Sequence, residues 1–402
     1  MGGGDEVLPG TRTARFPSIG AASFTDDVLQ ALRSKGDPPA DAAVSEFFST
    51  VAGDHPKLFR HLVATSTFNE RDEDLPGVSA FLAAPDPWPA WTNADLVRRG
   101  QRFFCQWGLQ LGTGLWMASL PADYACARGA EPLVRTARLT RNPKRRYVET
   151  GQMIIDAMTP GALEPGDLGY VTVRRVRLMH AAVRHVLLHV AEIEGAAEKG
   201  IVEWDDVLGV PINQEDLLGC LFSFSVVGIQ TLQRSGIRVN DADAEAYIHA
   251  WNLIGHYVGI DANLLPLGWD DAQKVWQIIQ QREYAPSEAG RELTAAAVEC
   301  MQELLGSRLL QNIPAAGIRH YLGEETADLL GVPPARLTGR MFFGLSRLSA
   351  GTVNRTFLHL PGARTLTAWL GLRMLRSFEE FERDGNRPRF EISGELKQAW
   401  GI

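Results

Sequence analysis

The stretch Val171–Glu194, VTVRRVRLMHAAVRHVLLHVAEIE, constrains this chain more than any other, because it places charge where a plain core helix has none. Turned at 100° per residue, Val173, Val176, Arg177, Val183, Arg184 and Leu187 fall within about 60° of His180. Two arginines and a histidine then sit inside an otherwise apolar stripe. Such side chains rarely enter a fold unless an anion or a metal answers them. One ligand answers all three, a haem whose iron takes His180 and whose propionates take Arg177, one turn back, and Arg184, one turn on. The alternative is a core histidine flanked by arginines that snorkel or pair with acids elsewhere in the chain.

The rest of the chain reads as helix. After a Gly/Pro-rich tail over 1–24, helical periodicity runs at 26–35, 40–51 and 56–67, and the Pro-rich AAPDPWPAW at 83–91 leads to an N-cap at Thr92–Asp95. Further helices are expected at 95–118, 121–128, 130–137, 143–158, 169–195, 214–235, 240–258, 269–281, 287–304, 323–330, 335–350 and 362–384. Strand-like alternation is nearly absent, and Gly/Pro punctuation such as TPGALEPGDLG at 159–169 separates helices and not hairpins. The expectation is an all-α protein with one helical domain over 25–402.

Composition excludes several classes. A net charge of −8 argues against nucleic acid and anionic membrane surfaces. Cys105, Cys126, Cys220 and Cys300 form no CxxC or CxxCH, which removes zinc ribbons, covalent haem attachment and a disulfide scaffold. The longest uncharged run, Phe103–Ala122, is interrupted by Gln106, Gln110 and three glycines, so it reads as a buried core helix and no stable membrane span is expected. Gly108, Gly112 and Gly114 would let a flat cofactor or another helix approach. MGGGDEVLPG has neither a basic n-region nor an apolar h-region. Secretion is expected if a leader preceded this start and a cytoplasmic location otherwise. A monomer is expected.

RLMHAAVRH at 177–185, preceded by RRYVETGQ at 145–152, resembles the latex clearing proteins, bacterial b-type haem rubber oxygenases grouped with the fungal membrane-bound oxygenase of mycophenolic acid biosynthesis. The similarity runs from about 90 to about 305, through FSFS at 222–225 and WNLIGHYVGI at 251–260. It implies a globin-like helical core with added N- and C-terminal helices, haem b, and O₂ inserted across C=C bonds of cis-1,4-polyisoprene to leave aldehyde and ketone ends. R-x-x-H-x-x-x-R, here Arg177, His180 and Arg184, implies His180 as proximal iron ligand. R-x-x-x-T, here Arg146 and Thr150, implies a distal side. The family's lysine before that threonine is replaced by Glu149, and the family's distal glutamate is matched nearest by Glu131. Glu149 favours a second reading, a haem oxygenase acting on a terpenoid or other secondary metabolite. A third is a non-catalytic haem-binding protein.

Residue chemistry fills in the expected site. Arg146, Glu149 and Thr150 stand at i, i+3 and i+4, so they share a helix face where a cation and a hydroxyl stabilise developing negative charge and a carboxylate serves as general base. The same residues also read as an exposed Arg–Glu pair beside a threonine. Leu109, Leu115, Met153, Ile154 and Ile155 are candidates for an apolar tunnel or for plain core. Arg319, in IRHYLG, is a further candidate propionate anchor, and His256 and His320 are candidate haem contacts or ordinary core histidines. His185 and His189 are an i, i+4 pair without the intervening carboxylate of HExxH, and read as outer face.

Overall fold

The computed structural model describes residues 18–50, 77–135, 143–189, 203–307 and 310–356, and among them every regular element is a helix. In chain order these are α1 (Asp26–Arg33), α2 (Pro38–Thr50), α3 (Val78–Ala83), α4 (Ala94–Gln106), α5 (Gly108–Gly114), α6 (Leu120–Tyr124), α7 (Ala127–Arg135), α8 (Pro143–Met158), α9 (Leu168–Leu188), α10 (Gln214–Arg234), α11 (Asp241–Val258), α12 (Trp269–Glu283), α13 (Glu288–Leu305), α14 (Ile313–Leu322), α15 (Glu324–Leu329) and α16 (Leu337–Thr356). The side chains of α8 are described from Thr150 onward, and the helices expected at 56–67 and 362–384 lie outside the described residues.

Helix ends follow local chemistry. The Asn93 side chain accepts from the N–H groups of Asp95 and Leu96, so α4 begins where the TNAD string predicts. Asn213, Asn240 and Ser287 cap α10, α11 and α13 in the same way. Gly259 (φ 99°) and Gly306 (φ 60°) end α11 and α13 in the left-handed region that side-chain-bearing residues avoid.

The core forms around α10, which is apolar on nearly every side and is surrounded by α1, α5, α6, α11 and α12. Among the described residues α10 alone is long and apolar enough to cross a membrane, yet 83% of its most apolar window is buried by its neighbours, as a core helix must be. Helix α4 lies so close along α11 that a Cβ on Gly100 would stand 2.3 Å from the Ala246 carbonyl oxygen. Helices α8 and α9 pack together and are tied by the buried Asp156, which accepts from Gln152 (2.6 Å) and Thr172 (3.2 Å).

Two departures from the periodicity bear on the site. The single helix expected over 95–118 breaks at Trp107, continues as α5, passes through a π-helical turn over Leu115–Ser119 and restarts as α6. Pro121 has no N–H for a regular ladder, and Gly114 is pressed onto α10 where a Cβ would meet Thr231 Cγ2 at 2.6 Å. The close approach expected of these glycines is therefore, at Gly114, that of another helix. Helix α14 is hidden in IPAAGIRHYL because Pro314 and Gly317 read as breakers. Pro314 occupies the first turn, where its missing N–H costs nothing, and a Cβ on Gly317 would stand 2.4 Å from Met117 Sδ.

Candidate active site

Helix α9 turns Val173, Val176, Met179, His180 and Val183 into a cavity of about 210 Å³. Thr150 and Met153 of α8 line it, with Cys220 and Phe224 of α10, Trp251 and Ile254 of α11, and Pro132 and Leu133 of α7. The 3.6-residue period of the α9 stripe thus finds a real chamber, and His180 shares it with Thr150.

The two arginines of that stripe take a different path. They lie at its edge, absent from the cavity lining, and reach α2 and the residue before it. Arg177 Nε and Nη2 donate to Asp37 Oδ2 and Oδ1 at 2.6 and 2.7 Å, a bidentate pair whose carboxylate is 2% exposed. Arg184, itself buried, donates from Nε to Asp41 Oδ1 at 2.7 Å and from Nη1 to the Ile212 carbonyl at 2.8 Å. In this structure Arg177 and Arg184, the residues expected at the propionates, meet the chain's own aspartates. Asp37 meets Arg177 bidentately, whereas Asp41 meets Arg184 through Nε alone. One donor is left over, since Arg184 Nη2 is buried with no acceptor among the described residues.

Other expected site residues separate similarly. Arg319 is held by Glu324, by Asp328 at 2.7 Å and by the Pro333 carbonyl at 2.9 Å, so its charge closes the turn after α15 and it lines neither cavity. Glu131, expected on the distal side, pairs with Arg135 at 3.1 Å one turn along α7, while its neighbours Gly129, Pro132 and Leu133 face the cavity. Arg146 and Glu149 lie on α8 with side chains outside the described residues. His256 faces Asp86 at 3.4 Å, His320 stacks on Phe343, and His185 stacks between Phe48 and His189. None of these four histidines lines this cavity or the one adjoining it.

What the sequence reading missed is the charge at one end of the chamber. Asp123, Glu215, Asp216 and Glu283 all line it. Arg33 of α1 meets Asp216 at 2.9 Å, Glu215 at 3.4 Å and Glu283 at 3.6 Å. Arg282 meets Glu215 at 2.9 Å, and Arg128 pairs with Glu283. Burial, then the neighbouring charge of Glu283, pushes Glu215 up to about 7 against the pull of Arg33, Arg282 and Arg128. Burial likewise raises Asp216, opposed by Arg33, and raises the Cys126 thiol, so that thiol stays protonated. A signal was available in NQEDLLGCLFSFS: a helix that is apolar all round must bury the acids of its own first turn. The N-cap and helix-dipole reading of those acids hides it.

A second cavity, of about 340 Å³, adjoins the first. Phe224 and Trp251, stacked at 5.9 Å between centroids and 11° between planes, belong to the walls of both. Helix α8 also serves both, Thr150 lining the first and Gly151 the second. Leu109, Leu115, Ile154 and Ile155, expected in a tunnel, line the second chamber, whereas Met153 lines the first. Met117, Met301, Leu304 and Leu305 complete an apolar interior, and Leu109 stands half exposed at its margin.

Fold and cavities together define an all-helical protein built around a buried, mostly apolar, histidine-bearing chamber with a second apolar chamber beside it. The chain belongs to the family of ER-bound oxygenase mpaB/B′ and rubber oxygenase catalytic domains, whose model matches residues 101–351. The match reaches past the expected limit near 305 to include α14, α15 and most of α16. Rubber oxygenase from Streptomyces sp. (strain K30) is 26% identical over 283 residues, which is 66% of this chain, and the match spans 64% of that relative's length. The solved structure of latex clearing protein LCP in the closed state shares the fold, with a TM-score of 0.64 at 22% identity over 94% of this chain and 98% of that one.

Proposed function

We propose that this chain is an oxygenase that holds one haem b through His180 and uses O₂ to cleave carbon–carbon double bonds of an apolar isoprenoid, with cis-1,4-polyisoprene as the leading substrate. The observation that carries the reading is that His180 and Thr150 line one largely apolar cavity which shares its Phe224–Trp251 wall with a second apolar chamber. The donor set fits the group. Among the described residues no three His, Cys, Asp or Glu side chains converge as a metal site. A haem would need one protein ligand to its iron, and the imidazole of His180 in this largely apolar chamber would supply it.

Haem b supplies the binding and activation of O₂. The chain's own groups do the rest. His180 would hold the haem iron. The Thr150 hydroxyl donates a hydrogen bond toward an oxygen atom as negative charge develops there, with Arg146 one turn earlier on α8 adding a cation. Val173, Val176, Val183 and Ile254 exclude water. The second chamber receives the hydrocarbon on either side of the reacting bond, and Gly151, where a Cβ would touch nothing within 4 Å, leaves room for it. A smaller terpenoid is the second reading, favoured by Glu149 standing where the resemblance implies a lysine.

The test has two stages. Purified protein reconstituted with haem is expected to show a Soret band that His180→Ala loses. Incubation with latex under ¹⁸O₂ is expected to give labelled aldehyde and ketone ends by mass spectrometry. No product from latex alongside oxidation of a small terpenoid would transfer the assignment to the second reading, and haem uptake without any oxygen consumption would leave a haem carrier.

A further inference from the structure

The charged end of the first cavity is more than a set of neutralised pairs. Glu215 and Glu283 are clamped by the same nitrogen atoms. Arg33 Nη1 reaches Glu215 Oε2 at 3.4 Å and Glu283 Oε2 at 3.6 Å. Arg282 Nε reaches Glu215 Oε1 at 2.9 Å and Glu283 Oε1 at 3.5 Å. Arg128 Nη2 contacts Glu283 and stands 3.9 Å from Glu215. The two carboxylates, 1% and 3% exposed, are thereby gathered into one pocket of charge that opens on the cavity and not on bulk water. Like charges held this close repel, and a proton on Glu215 relieves that repulsion. The carboxyl expected on α7, that of Glu131, pairs instead with Arg135.

We propose that the Glu215–Glu283 pair is the proton-exchange site of this cavity, placed to give a proton to, and take one from, an oxygen atom carried by the substrate during oxygenation. The proposal rests on the oxygenase reading above. In the forward transfer the O–H bond of the Glu215 carboxyl breaks as an O–H bond forms on the substrate's oxygen, and the electron pair stays on a carboxylate already faced by Arg33, Arg282 and Arg128. The reverse transfer returns the proton, so the pair is unchanged over a turnover and no external reductant or oxidant enters the exchange. The remaining groups facing the pair are consistent with this. Asp216 is occupied by Arg33 and by the Asn213 amide, Asp26 meets Arg282 from the solvent side, and Asp123 and the protonated Cys126 thiol line the cavity beside it. With one proton held near neutral pH, Glu215 has the affinity a general acid–base group needs.

Infrared difference spectra of the full chain, without and with haem, titrated from about pH 5 to about pH 9, test the pair directly. The wild type is expected to show a carboxylic-acid C=O band with its midpoint near 7, absent in Glu215→Gln and moved to lower pH in Glu283→Gln. In the haem-loaded protein, oxygen consumption with an apolar alkene is expected to fall about 10²-fold or more in Glu215→Gln at unchanged haem content. Its alkaline limb is expected to shift to lower pH in Glu283→Gln. Circular dichroism of both variants establishes that each has folded. Persistence of the band in Glu215→Gln, or wild-type turnover and pH profile in both folded variants, overturns the proposal while leaving the oxygenase reading intact. A wild type that carries the band yet oxidises no alkene overturns the pair's role through failure of the oxygenase reading, and the spectra tell the two apart.

Discussion

Replacing Asp37 by alanine isolates the finding that the arginines of α9 are answered from within the chain. The substitution removes both hydrogen bonds of the Arg177–Asp37 pair, at 2.6 and 2.7 Å, and leaves a guanidinium that is 13% exposed. Breaking one partner of a buried pair costs about 3–5 kcal/mol. Partial access to water and the surviving contact of Arg177 with the Phe81 ring, 5.4 Å away, place this case at the low end, about 3 kcal/mol. At roughly 2.1 cal/mol/K of unfolding entropy per residue, the 402 residues turn that loss into a fall in Tm of about 4 °C. The assay is urea denaturation of haem-free protein for Asp37→Ala, Arg177→Met and the double variant. The coupling energy from that cycle is expected to reach about 2 kcal/mol or more. A coupling below about 0.5 kcal/mol in haem-free protein would refute the reasoning. Arg177 would then lack an internal partner and return to the search for an external anion.

Three further outcomes follow from other contacts. Thr150→Ala is expected to keep its Soret band and lose about 10²–10³ in kcat, the usual loss for one positioned donor; unchanged turnover would return Thr150 to the cavity wall as packing. Gly100→Ala is expected to lower stability in urea denaturation by about 1–3 kcal/mol, because the new Cβ would stand 2.3 Å from the Ala246 carbonyl oxygen, whereas Gly151→Ala, with nothing within 4 Å, is expected to be neutral or stabilising. Burial drives His249 down to about 4 from 6.5, and its Nε2 accepts the Asn93 N–H at 2.9 Å, so the unfolded chain binds this proton first. Stability is therefore expected to fall as pH drops from 6.5 toward 4, and His249→Gln to flatten that slope in denaturation curves measured across the window.

Much of this protein was legible because helices announce themselves locally. Caps such as Asn93, the 3.6-residue stripe of α9 and the helical span of α10 are properties of consecutive residues, and each appears in the structure where the sequence predicts it. The stripe also led to His180, since a side chain at 0° of an apolar face has nowhere to go but inward. Direction within that stripe was another matter. Arg177 and Arg184 lie only about 40–60° from His180 on the helix wheel, yet that offset carries them from the cavity to Asp37 and Asp41, about 140 positions earlier. No periodicity encodes which distant carboxylate will meet a guanidinium. The same holds for Glu215 and Glu283, 68 positions apart, brought onto shared arginine nitrogens by the packing of α1, α7, α10 and α12. Local order came from the chain's own period and caps. The pairing of charges, and with it the chemistry lining the chamber, was decided by long-range packing, because burial makes each charge seek a partner wherever the fold happens to bring one.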